Sequence, residues 1–265
     1  MMNNTFSVRR FALLLKKTLL EKQTQMFGFT SAIFLFILIV YYLMKTFVGF
    51  MGAQNLSFLW GFVGGDFILA SFVFNYFSSA ASGSSYLTLP VSNLEKWLTA
   101  VVIVAILYPL TFMVFYRLMD AGFVLAYHNS LDPNGPFYKQ MYEAVYLFDF
   151  NSRLARQCYP MAAVCSGFML IGSLYFNKGA LIKVALGICV LCFAIYGLNY
   201  LFADLLFRNL ADAFPFQYVL IGVGKDTGSL DLPQNVHDPV WYFFNYGLPI
   251  ILWAVAFIRL REKEF

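Results

Sequence analysis

Apolar residues in this chain gather into six runs with few or no charges, at 26–44, 58–77, 97–116, 157–177, 184–203 and 239–258. A helix rises about 1.5 Å per residue and the hydrocarbon of a bilayer is about 30 Å thick, so roughly 20 apolar residues are needed to cross it. Each run has about that length. The runs are continuous, which favours helices over the short, alternating strands of a membrane barrel. The pattern therefore predicts an all-α integral membrane protein with six transmembrane helices, residues 1–265 forming a single transmembrane domain. The first run is not expected to be a removable leader, because its uncharged core is too long and no small-residue cleavage pattern follows Met44.

Between the runs, three kinds of segment stand out. Residues 7–22, SVRRFALLLKKTLLEK, place Phe11, Leu14, Leu15 and Leu19 at helical spacing opposite Arg9, Arg10, Lys16 and Lys17, with Leu13 and Leu20 on the basic side. That is an amphipathic helix suited to the inner membrane surface, although the same residues also read as an extension of the first span. Residues 78–97, SSAASGSSYLTLPVSNLEKW, begin with small side chains and are broken at Leu89-Pro90. They restart a helix at Ser92 or Asn93 that runs through Glu95 and Lys96 into the third span. Such a stiff, partly apolar turn can pass a push from a soluble partner into two spans, or simply be a tight capped turn. The long loops 117–156 and 204–238 contain two amphipathic stretches, 137–148 and 205–221, that read as short helices at the outer surface or as interfacial loops with an aromatic belt.

Composition agrees with lipid as the solvent. Hydrophobic residues make up 60% of the chain and charged residues only 12%, too few to cover a water-soluble surface and unlike a nucleic-acid-binding module. The net charge of +4 matters through its distribution. Arg9, Arg10, Lys16, Lys17, Lys22, Lys96, Lys178, Lys183, Arg259, Arg261 and Lys263 all fall on one side of the predicted topology. The positive-inside rule makes that side, with both termini, cytoplasmic.

Candidate chemistry is sparse. The nearest approach to a phosphate-binding loop is VLIGVGKD, with Val219 in place of the first glycine and Asp226 in place of the hydroxyl residue, so no ATP hydrolysis is expected in this chain. Cys189 and Cys192 form a CxxC inside the fifth run, where packing is a better account than metal or redox work. His128 and His237 sit in separate outer loops, and no metal site is expected. Asp66 is the one acid within a run, at a cost of about 2.5 to 3.5 kcal/mol if it is buried. Either it lies on a translocation path or dimer seam, with Gly61, Gly64 and Gly65 allowing close helix approach, or the span is shifted and Asp66 marks its outer end.

Six spans, the amphipathic segment, the loop YLTLPVSNLEKWL, the long external segment before the last span and the terminal RLREKEF together resemble type-2 ATP-binding-cassette (ABC) transporter permeases. The resemblance is to a bacterial branch with an LPxSxxEK loop, here Leu89, Pro90, Ser92, Glu95 and Lys96. It implies that residues 11–20 with their flanking Arg9 and Arg10 form a connecting helix, and that Leu89 to Lys96 contact a cytosolic ABC ATPase, which binds ATP and magnesium. It further implies a dimer with a second copy or a related permease, a bacterial cytoplasmic (inner) membrane and an export function. The motif does not name the cargo. A non-transporting membrane scaffold or anchor is the alternative, followed by an integral membrane enzyme, for which two separated histidines and one isolated aspartate offer no catalytic constellation.

Overall fold

The computed structural model describes residues 6–21, 23–78, 80–176, 178–207, 209–223 and 226–263. The chain is a helical membrane protein with a small antiparallel sheet at one end. Its helices are α1 (Val8–Glu21), α2 (Gln23–Leu59), α3 (Gly65–Val73), α4 (Ala80–Leu87), α5 (Asn93–Val101), α6 (Tyr108–Asn129), α7 (Tyr138–Glu143), α8 (Arg153–Tyr175), α9 (Ala180–Leu206), α10 (Gln234–Tyr242) and α11 (Leu248–Glu262). Single π-helical turns at Trp60–Gly64, Val102–Leu107 and Phe243–Gly247 join α2 to α3, α5 to α6 and α10 to α11. Among the described residues, five helical stretches are long and apolar enough to span a membrane: Gln23–Val73, Asn93–Asn129, Arg153–Tyr175, Ala180–Leu206 and Gln234–Glu262.

The first stretch contains two of the predicted runs, because no proline lies between them and helix resumes directly after Gly49. It is folded at Gly49, whose φ of 81° and ψ of 178° lie in a region that only glycine occupies freely. Residues 23–48 therefore lie antiparallel to residues 50–73. The Phe29 and Phe72 ring centroids are 4.1 Å apart, and the Ile33 and Ile37 side chains press on Gly65 and Gly61. The second stretch is longer than its run because the helix continues past Tyr116 to Asn129, carrying Arg117 and Asp120 on α6.

Of residues 205–221, read as a short helix or an interfacial loop, Leu205 and Leu206 end α9 and the described residues from Leu210 onward are not helical. They contribute to a three-stranded sheet of order β1-β2-β3 made of Leu210–Phe214, Tyr218–Val223 and Asp226–Asp231. The Tyr-Val-Leu-Ile run of β2 suits a pleated surface, and turn positions flank the first strand, with φ of 63° at Asn209 and 59° at Phe216. Residues 137–148, read as a short helix or an interfacial loop, are helical only over α7, after which the chain is extended.

Aromatic rings fill the interior. Phe58, Phe62, Phe112, Tyr116, Phe148 and Phe150 meet one another at centroid distances of about 5 to 6 Å. The outward faces of α2 and α9 carry exposed Leu, Phe and Val side chains, as surfaces turned to lipid do.

Candidate functional site

The turn before α5 is built from its own sequence. Pro90 cannot continue α4, and Ser92, with φ −71° and ψ 157°, caps α5 through a capping box. The Glu95 amide donates to Ser92 Oγ at 3.3 Å, and the Ser92 amide donates to Glu95 Oε2 at 2.8 Å. The other carboxylate oxygen reaches away from α5. Glu95 Oε1 accepts from the Ser7 amide at 2.7 Å and from Arg10 Nη2 and Nε at 3.1 and 3.3 Å. One fully buried carboxylate thus fastens the start of α1 to the start of α5. Next to it, Lys96 is equally buried, donating to the Leu87 carbonyl at 3.2 Å at the end of α4, with its ammonium 5.6 Å from the Tyr86 ring centroid.

This geometry changes the role of the motif. Glu95 and Lys96 were expected to touch an ATPase, but both side chains are completely covered by their own chain. They hold the turn in shape, and Ser92 is buried with them. The residues left outward are Ser84, Ser85, Thr88, Pro90 and Leu94, with Leu89 half-buried against the core.

The amphipathic helix has its expected faces. Leu14 and Thr18 are buried and Phe11, Leu15 and Leu19 half-buried, while Arg9, Lys16 and Lys17 are exposed and Arg10 turns in toward Glu95. Its far end is tied as well: Tyr76 Oη donates to Glu21 Oε2 at 3.4 Å and stacks on Tyr86 at 4.5 Å. Burial, and then the neighbouring Glu21 carboxylate, push the Tyr76 hydroxyl up to about 12.

Asp66 is not at the edge of the bundle. It is 3% exposed and adjoins Ser166, which lies near the middle of α8, so the reading that placed it at an outer interface is replaced by one of burial. Its Oδ1 has no hydrogen-bond partner among the described residues. Gly61 and Gly65 do allow a close approach, but within the chain. The Tyr108 hydroxyl donates to the Gly61 carbonyl at 2.5 Å, and a Cβ on Gly65 would overlap that same hydroxyl. Gly61, Gly65 and Asp66 are covered by the chain's own side chains, so none lies on a surface that a second copy could touch.

A third buried carboxylate lies just past the third apolar run, where no apolar pattern marks it. Asp120 is 0% exposed, with Oδ1 accepting from Tyr41 Oη at 2.7 Å and Gln54 Nε2 at 2.9 Å, and Oδ2 accepting from the Phe148 amide at 2.7 Å. The signal was present in the spacing: Tyr108, Phe112, Tyr116 and Asp120 follow one another every fourth residue on the buried face of α6. This carboxylate pins residues 145–150 to the end of the bundle opposite α1, helped by Gln54 Nε2 donating to the Tyr146 carbonyl at 2.8 Å.

The remaining candidates carry no convergent chemistry. Cys189 and Cys192 are free thiols on the exposed side of α9. His128 Nε2 lies 3.0 Å from the Val145 carbonyl and its ring stacks on Tyr142, while His237 is paired with Asp238. Val219–Val223 of the phosphate-loop look-alike are strand, and its Gly224 and Lys225 lie outside the described residues. No group of three metal-ligating side chains occurs among the described residues. No protein family, curated protein or solved structure matches this chain.

Proposed function

We propose that the chain is the membrane-spanning permease subunit of an ABC exporter. It crosses the membrane six times, with residues 23–73 crossing twice about Gly49 and both termini in the cytoplasm of a bacterial cell. Two such subunits form the pathway, and a separate cytosolic ATPase that binds ATP and magnesium drives it. The observation that carries this reading is the buried Glu95 carboxylate holding Ser7, Arg10 and the capped start of α5 together. A force applied to the exposed residues at 84–90 is not absorbed locally. It enters the third span through α5, the N-terminal helix through Arg10, and the second span through α4, whose end Lys96 ties to α5. In this reading Glu95 and Lys96 are positioning residues, and Thr88, Leu89 and Pro90 contact the ATPase. Asp66, buried beside Ser166, is the residue proposed to face the pathway when the bundle rearranges. A photoreactive amino acid at Thr88 or Pro90 is expected to capture an ABC ATPase in native membranes, whereas one at Leu205, exposed near the opposite end of the bundle, is not. Failure of both inner positions to capture any such ATPase overturns the proposal.

A further inference from the structure

Two recesses meet on one flank of the bundle. The first is a cavity of about 930 Å³ at the end opposite α1, lined by the start of α8, the start of β2 and the end of β3, and α10 with the beginning of α11. The second, of about 550 Å³, is a trough between α5, α8 and α11, and the two share Ala163, Pro249 and Ile250. Their chemistry is graded along the helices. On α8, Arg153 and Arg156 open into the cavity, and Pro160 and Ala163 follow on the same face toward the trough. On the last stretch, Trp241 and Asn245 give way to Pro249, then Trp253 and Phe257.

Arg153 and Arg156 are exposed, and neither forms an ion pair with a described residue. Asp231 is the one acid lining the cavity among the described residues and leaves it net positive. The trough is apolar throughout, because its two indoles spend their N–H groups on the chain: Trp253 Nε1 donates to the Ala163 carbonyl at 2.8 Å, and Trp97 Nε1 donates to the Trp253 carbonyl at 3.0 Å. From Leu94 to Ala105 the trough follows α5 and the π-helical turn after it for about 16 Å at 1.5 Å per residue, a length suited to an acyl chain. A cationic cup opening onto an apolar slot of that length matches a molecule with an anionic head and a hydrocarbon tail.

We propose that this flank is a binding site for a single anionic phospholipid. Its phosphate sits between the Arg153 and Arg156 guanidiniums, and an acyl chain lies in the trough over Ala163, Trp253 and Phe257. The site requires neither transport nor an ATPase, so it stands apart from the function proposed above.

The test is lipid retention by the full-length protein, with any subunit that co-purifies, measured by native mass spectrometry after detergent washing and titration with defined lipids. Phosphatidylglycerol is expected to bind at one molecule per chain in preference to phosphatidylcholine and phosphatidylethanolamine. The double substitution Arg153→Gln, Arg156→Gln is expected to weaken that binding by about tenfold or more. Ala254→Phe, which fills the trough and leaves both arginines in place, is expected to weaken it as well. Equal retention of the three lipids by the unaltered protein overturns the proposal even if the variants fail to fold. So does displacement of phosphatidylglycerol by inorganic phosphate alone, or a crosslink showing that a second copy of the chain covers Trp253.

Discussion

Among the described residues, three carboxylates are withdrawn from solvent, and their partners differ. Glu95 and Asp120 each accept several hydrogen bonds, so burial is offset by donors that suit a charged oxygen. Asp66 has one oxygen with no described partner. The consequence is opposite responses to the same substitution. In Asp120→Asn an amide nitrogen must face either the Phe148 N–H or the Tyr41 and Gln54 donors, leaving a buried donor unpaired at a cost of about 1 to 3 kcal/mol. Asp66→Asn removes a burdened acid and is expected to leave the thermal midpoint unchanged or higher. Thermal unfolding of the two variants in the same detergent checks this, and an equal loss in both would show that Asp66 has partners that stabilise its charge. Glu95 and Lys96 were legible as members of a motif, yet their burial was not: an LPxSxxEK string carries no information about which of its side chains point inward.

At the scale of elements, the hairpin at Gly49 is the least forgiving feature. Nothing lies within 4 Å of a Cβ placed there, so the need for glycine is purely one of backbone conformation. Gly49→Ala is expected to lose about 1 to 3 kcal/mol, the cost of a side chain in that region of φ and ψ. Gly28, helical and equally open, is the control: Gly28→Ala is expected to be neutral or to stabilise by about 0.5 to 1 kcal/mol. Equal effects in a denaturation series would remove the strain argument. The apolar runs located the spanning helices because partitioning into hydrocarbon depends on composition summed over about 20 residues, which a sequence displays directly. The ends of the helices were less legible. Past Tyr116 the helix continues because Asp120 finds donors from three other segments, and residues 218–223 pair as a strand because Leu230 and its neighbours lie across from Val219.

For the whole molecule, the proposed topology assigns each end of the bundle to one side of the membrane. With Cys189 and Cys192 replaced by Ala, Ser84→Cys is expected to react with a membrane-impermeant maleimide only in inside-out vesicles, and Asn134→Cys only in intact spheroplasts. Labelling of both from one side would refute the crossing number. The sequence by itself determined that the chain lives in lipid, roughly where it crosses, and that a capped turn precedes the third span, since hydropathy and capping depend on residues near one another in the chain. Only the tertiary structure decided that Glu95 and Lys96 face inward, that Asp66 lies in mid-bundle, that Asp120 is a clamp, and that two arginines line a cavity adjoining an apolar trough. Those outcomes rest on contacts between segments many residues apart, which no local pattern encodes.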